Sequence, residues 1–480
     1  MGDSSSAAQS DSSEPDPPGT RLELISIAKD GDLILDVTFE NSKETLRAAR
    51  EAQAKLPSRE PRAAPKARVR LAFRVRMAAL KSTSKYFDKL LGGGGGGGGG
   101  GHFKEARDVA SALAALAARG VAPGAAAAAD LPWVAIRDDD QATRYAHREG
   151  VFADLLRVLH GGEAAAMQQR ATMPYVTTLA VLADRFDCTA PVARYLAVRL
   201  KFKWPVTNRK YASFAAVAAA VDEPAATSRA TEEVLRQKIL VSWLMNQPAR
   251  FQAATREIIM DGSCRWSPFS QDDDAPDATW WYLQDGLEEE LQYRRHCILN
   301  TVGSVTRHFL RLYASRERQC TLGYDSSEAC DSYQLGEMYK FLAHRRLLAA
   351  VDFSPASLDA VADPAQLPVA AILAALRQCP AYQVNKNHYN CGLRTRLLPI
   401  LDFLLALLSA ASVSPPRAAW ESDRAAAAWR PPPGRDREPA PFRFTRSLAA
   451  DQRLRFEHAL GTDKFARKVF TASSWDWTAE

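Results

Sequence analysis

Cys379, His388 and Cys391 lie close together in the chain, and Cys320 and Cys330 lie upstream of them. Thiolates and an imidazole are the ligands a zinc ion prefers, so a zinc site is conceivable here. Structural zinc sites usually carry paired C-x2–4-C or H-x3–5-H spacings, and these cysteines and this histidine show neither. A cysteine without such a partner behaves as a small buried hydrophobe. The expectation from sequence is therefore free thiols, no metal and no cofactor, with Cys188 beside a helix end in the core as well. Nucleophilic catalysis has no better support, because no G-x-S-x-G elbow and no recognisable Cys and His pairing context occurs. Asp272-Asp273-Asp274 falls in a polar loop, and Glu288-Glu289-Glu290 opens a helix whose dipole favours negative charge there. Trp280-Trp281-Tyr282 reads as a packing anchor, since indole and phenol rings carry much core area. No catalytic residue is assigned, and the chain reads as a non-enzymatic protein. The alternative is an enzyme whose site is assembled from residues scattered through the helical half.

The elements that would position such residues belong to a chain of 480 residues, 46% apolar and 25% charged, which is long enough for two or three domains. The net charge of +6 is spread along the sequence, and Arg294-Arg295, Arg345-Arg346 and Lys201-Phe202-Lys203 read as solvated faces. Phosphate neutralisation needs local charge density, so no specific nucleic acid is expected as a partner. The longest apolar run, Leu397 to Ala411, contains Pro399 and Asp402 and is shorter than the ~20 residues of a membrane span. No signal peptide is read at the start, and seven cysteines without regular spacing argue for reducing conditions. The expected location is cytoplasmic or nuclear, away from membranes.

Residues 1–20 are Ser-, Asp- and Pro-rich and are expected to be disordered. Leu33 to Phe39, rich in β-branched and aromatic residues, predicts a strand, and Arg68 to Val75 a second one with one buried face. Between them, residues 41–67 read as an inserted loop with some helical tendency. Two short helices follow, near 76–82 and 84–91, the second capped by Ser84. Ten glycines at 92–101 form a linker, and the Ala-rich residues 111–130 read as an extension of the same loop. Leu131 to Ile136 predicts an edge strand, followed by an acidic turn at Asp138-Asp139-Asp140. Three helices complete this part, carrying Phe152 to Leu159, Val176 to Phe186, and the stretch from Pro191 to about Phe202. The second half is helical, with its longest periodicity over 286–315 and a surface Glu290–Arg294 pair. The divisions are a tail at 1–20, an α/β domain at 21–204 with insertions at 41–67 and 92–130, a helical domain at 205–411, a Pro/Arg/Ala-rich linker at 412–440, and a tail at 441–480. Phe470, Trp475 and Trp477 of that tail are expected to dock back onto the body.

The order strand, strand, two short helices, strand, three helices makes residues 31–203 resemble the BTB/POZ domain, especially its fungal branch. Asp32 to Val37, Phe73 to Leu80, Ser84 to Leu91 and Leu179 to Cys188 carry the likeness, the last being the most specific. Tyr293 to Asn300, Ser315 to Tyr324 and Cys391 to Arg396 resemble the helical half of uncharacterised filamentous-fungal BTB proteins. The insertion at 41–67 and the glycine run depart from the family pattern. The resemblance implies an α+β domain, a small sheet flanked by helices, used for self-association as a homodimer and for recruiting protein partners. In some members it serves as substrate adaptor for a cullin-type ubiquitin ligase. It also implies three partner-binding candidates. Asp36 corresponds to an acid in a charged pocket near the dimer groove, although a solvated strand-end acid is an equal reading. Phe103 and Glu105 match a hydrophobic-x-Glu element that contacts the cullin, the alternative being that Phe103 covers its own core.

Overall fold

The computed structural model describes residues 22–54, 64–92, 103–162, 171–207, 229–267, 278–323, 325–345, 347–348, 367–389, 391–409, 411–431, 440–451 and 462–478. Expectations for the N-terminal tail, most of the glycine run and Asp272-Asp273-Asp274 fall outside them. The chain divides into two compact units, one of residues 1–170 and 182–192, the other of residues 171–181 and 193–480.

The first unit is built on a mixed four-stranded sheet of β1 (Glu23–Ser26), β2 (Leu33–Glu40), β3 (Arg68–Val75) and β4 (Trp133–Asp139), in the order β1-β3-β2-β4. β2 pairs antiparallel with β3, Leu35 opposite Phe73 and Val37 opposite Leu71, and parallel with β4. β1, which the sequence reading passes over, runs parallel to β3. Strand β2 is central, and its Leu33-Ile34-Leu35 and Val37-Thr38-Phe39 are buried on both faces. β4 lies at the edge and alternates exposed and buried residues cleanly.

Helix α1 (Lys43–Ala54) occupies much of the expected inserted loop, with Leu46 buried. The hairpin of α2 (Met77–Thr83) and α3 (Lys85–Leu91) turns at Ser84, whose hydroxyl accepts from the Phe87 amide at 3.1 Å and donates to the Phe186 carbonyl at 2.6 Å. The Ala-rich stretch is loop only in part: residues 119–130 are turns with two short 3-10 segments, but the residues before them are helical. Lys104–Ala118 forms the 15-residue helix α4, because alanine is the strongest helix former and Ala106, Val109 and Leu116 give it a buried stripe. The expected acidic turn is also corrected, since β4 runs on through Asp138 and Asp139. α5 (Arg148–Leu159) ends at Gly161, whose φ of +71° suits glycine. Phe152 of α5 meets Phe39, Phe73 and Phe186 edge-on at 5.4–5.8 Å, and Phe87 stacks on Phe186 at 5.4 Å. Leu35, Val37, Leu71, Phe73, Phe87, Leu155, Leu159 and Phe186 are all buried. α6 (Met173–Arg185) and α7 (Thr189–Arg194) follow, and α7 continues as a π-helical turn over Tyr195–Leu200.

The second unit is helical. α8 (Arg229–Leu244), α9 (Pro248–Asp261), α10 (Leu287–Ala314), α11 (Ser327–His344), α12 (Val369–Arg377) and α13 (Leu393–Ser409) surround one large apolar core. α10 runs through it with Leu291, Ile298, Val302, Val305 and Phe309 buried along one stripe. Residues 412–431 are not an open linker: α14 (Arg417–Ser422) and α15 (Arg424–Ala427) bring Trp420 and Trp429 into that core. The C-terminal residues dock as expected at Phe470 and Trp477, both buried, and the Trp477 Nε1–H donates to Ser304 Oγ at 2.9 Å. No described helix is long and apolar enough to cross a membrane.

Candidate functional site

Phe103 sits immediately before α4 and is 56% exposed, so it does not cover its own core. Glu105 stands in the first turn of α4, where its charge complements the helix dipole. Asp36 is not at a strand end. It lies in mid-β2 opposite Ala72 and Ala135, and it accepts two hydrogen bonds from Arg70, at 2.9 Å from Nε and 2.7 Å from Nη2. Flanked by small residues, the carboxylate holds a partly exposed bidentate pair.

A cleft of about 290 Å³ in the first unit is lined by Asp30, Arg76, Arg157 and His160 among others. These residue types suit acid–base chemistry, but their hydrogen bonds consume them. Arg76 donates to both Asp30 oxygens at 2.8 and 3.0 Å, which holds that carboxyl below its usual range. His160 Nδ1 lies 2.7 Å from the Leu156 carbonyl and must carry the proton, while Nε2 accepts from the Arg76 amide at 2.9 Å. Burial, with Arg76 adding to it, lowers the His160 pKa and keeps the ring neutral. Neither nitrogen is left to move a substrate proton, so this histidine braces the start of α2.

Four buried arginines, Arg148, Arg236, Arg294 and Arg295, make the other charged clusters among the described residues. Arg148 reaches Asp138 at 2.6 Å, and Arg185 pairs with the same carboxylate. Arg236 spends its five N–H donors on Glu232, Ser263, the Trp281 carbonyl and both oxygens of Glu288, at 2.8–3.1 Å. Arg294 and Arg295, expected on a solvated face, are buried. Arg294 pairs with Glu290 at 2.6 Å and donates to the carbonyls of Val413 and Ala427, and Arg295 donates to those of Ile259, Met260 and Leu367. A guanidinium fork can satisfy several chain ends at once, which is why these arginines stand where helices and loops meet. Buried groups engaged in this way hold structure. Trp280 and Trp281 are buried anchors beside this network, whereas Tyr282 is exposed.

The remaining cluster is made of thiols and an imidazole. Cys320, Cys330, His388 and Cys391 bring their ligand atoms within 4.8 Å of one another. Cys320 precedes α11, Cys330 lies in its first turn, and His388 and Cys391 flank the turn that enters α13. Cys320 Sγ is 3.4 Å from His388 Nδ1 and 3.8 Å from Cys391 Sγ, and Cys391 Sγ is 3.7 Å from His388 Nδ1. Burial pushes the Cys330 thiol up to about 12 and raises Cys391 as well. Burial opposes ionisation of Cys320 too, but hydrogen bonds from Ser327, Leu322 and the neighbouring thiols hold it below its ordinary value. Cys379, which sequence proximity groups with His388 and Cys391, stands apart with its Sγ 3.8 Å from the Met338 sulfur. The one spacing signal was His388-x2-Cys391, half of a ligand pair. Comparison with protein-family models, with curated proteins and with solved structures finds no match to this chain.

Proposed function

We propose that the chain is a non-enzymatic interaction protein whose first unit acts as a BTB/POZ-like association domain, pairing with a second copy and recruiting protein partners. The observation that carries this reading is the connectivity of the first unit. An antiparallel pair, β2 and β3, is followed by the α2–α3 hairpin, by β4 returning parallel to β2, and by α5. With β1 set aside, and α1 and α4 falling within the two insertions, this order supports the sequence resemblance. Tyr86, Phe103 and Trp133 of this unit are exposed and are its candidate anchors, because aromatic side chains dominate interface hot spots. The cleft and the buried ion pairs favour the same side, since their polar groups are engaged with one another.

Sedimentation equilibrium of the full chain tests the reading. A reversible monomer–dimer equilibrium is expected, and a chain that stays monomeric to its solubility limit counts against it. Service as a cullin adaptor is the narrower form of the proposal, and it rests on Phe103 and Glu105.

A further inference from the structure

We propose that Cys320, Cys330, His388 and Cys391 bind one Zn²⁺ in a closed, structural Cys3His centre of the second unit. The geometry is that of the ion's own coordination shell. Tetrahedral zinc with Zn–S of ~2.3 Å and Zn–N of ~2.0–2.1 Å places its ligand atoms ~3.8 Å apart for two sulfurs and ~3.5 Å for sulfur and nitrogen. The Sγ–Sγ distance of 3.8 Å and the Sγ–Nδ1 distances of 3.4 and 3.7 Å are those edges. Those three edges join Cys320, His388 and Cys391, and the Cys330 Sγ lies within 4.8 Å of each of these atoms.

The surroundings are those of a ligand set. His388 is buried, and its Nε2 lies 2.7 Å from Ser326 Oγ, which orients the ring and turns Nδ1 towards the sulfurs. The Asp331 carboxylate accepts from the Gln319 amide at 2.7 Å and from the Cys320 amide at 3.0 Å, fixing the loop that presents Cys320. Ser327 Oγ lies 3.5 Å from Cys320 Sγ, where a hydroxyl would donate to a thiolate. Four protein ligands complete a tetrahedron and leave no position for water or substrate, so the centre is structural and not catalytic. On binding, the three thiols give up their protons to solvent. The ion then ties the loop after α10, the start of α11 and the loop before α13 into one cross-link. This inference is independent of the association proposed above.

Native mass spectrometry and elemental analysis of the full chain, produced in zinc-supplemented medium and desalted, test it. One zinc per chain is expected. The ion should be absent from Cys330→Ser and Cys391→Ser, retained by Cys379→Ser, a buried thiol outside the cluster, and retained by His388→Cys, which keeps four ligands. Far-UV circular dichroism reports folding separately. Should the serine variants fail to fold, wild-type chain stripped of metal and given Co²⁺ decides the matter. Intense visible bands with thiolate charge transfer are the signature of tetrahedral Co²⁺. A folded wild type without stoichiometric metal, a Cys320–Cys391 disulfide, zinc retained by Cys330→Ser and Cys391→Ser, or no such Co²⁺ spectrum would each overturn the proposal.

Discussion

Single side chains set the most specific expectations. Arg236 is fully buried with every donor engaged, so Arg236→Met leaves Glu232 buried without its partner. Breaking a buried pair in this way costs about 3–5 kcal/mol, and denaturant titration of the variant should show a loss of that size. His160 gives a pH dependence whose sign follows from its shift. The folded chain holds the imidazole neutral, below its ordinary 6.5, whereas the unfolded chain takes up the proton at that value. The stabilisation is complete above about 6.5 and is lost as the pH falls through the depressed folded value. His296 and His308, lowered by burial, act in the same direction. Urea midpoints should therefore fall between pH 7.5 and pH 5, and His160→Gln should reduce the fall. For the adaptor reading, capture of a recombinant cullin N-terminal domain should be lost in a Phe103→Ala, Glu105→Ala double variant. Equal capture by both proteins would remove the pair from that interface, and no capture by either would remove the adaptor reading.

At the scale of elements, helix α4 separates two readings of one alanine-rich stretch. Ala114 is exposed in that helix, so Ala114→Gly should cost about 1 kcal/mol and Ala114→Pro about 3 kcal/mol in thermal unfolding. A loop would tolerate both. The segment is hard to read because alanine supplies helix propensity without hydrophobic contrast, and only Val109 and Leu116 mark its buried side strongly. Leu33 to Phe39 was legible for the opposite reason, since a run of β-branched and aromatic residues fits a strand buried on both faces. The arginines of α10 were misread because i,i+4 spacing states that Glu290 and Arg294 meet, not whether water reaches them. Docking of Trp420 and Trp429 buries the pair, and prolines in sequence cannot signal that. The thiol cluster was half legible. His388-x2-Cys391 carries a local signal, but Cys320 and Cys330 arrive from another segment through the packing of α10, α11 and α13.

The whole molecule combines a sheet-bearing unit with exposed aromatics and a helical unit closed by its own C-terminal residues. Trp477 is fully buried among Phe442, Phe444 and the wall of α10, so Trp477→Ala should cost about 3–5 kcal/mol and lower the melting temperature. The function proposed above assigns an association surface to the first unit and leaves the second as a stabilised body. Cross-linking an equimolar mixture of ¹⁴N- and ¹⁵N-labelled full chain with a lysine-reactive reagent, then sorting peptide pairs by mass, tests it most directly. Lys29, Lys85, Lys89 and Lys104 are exposed on the first unit, and Lys340 and Lys386 on the second. Mixed-isotope links concentrated on Lys29, Lys85, Lys89 and Lys104 are the expected result. Links confined to single copies, or mixed links found only at Lys340 and Lys386, would contradict association through the first unit.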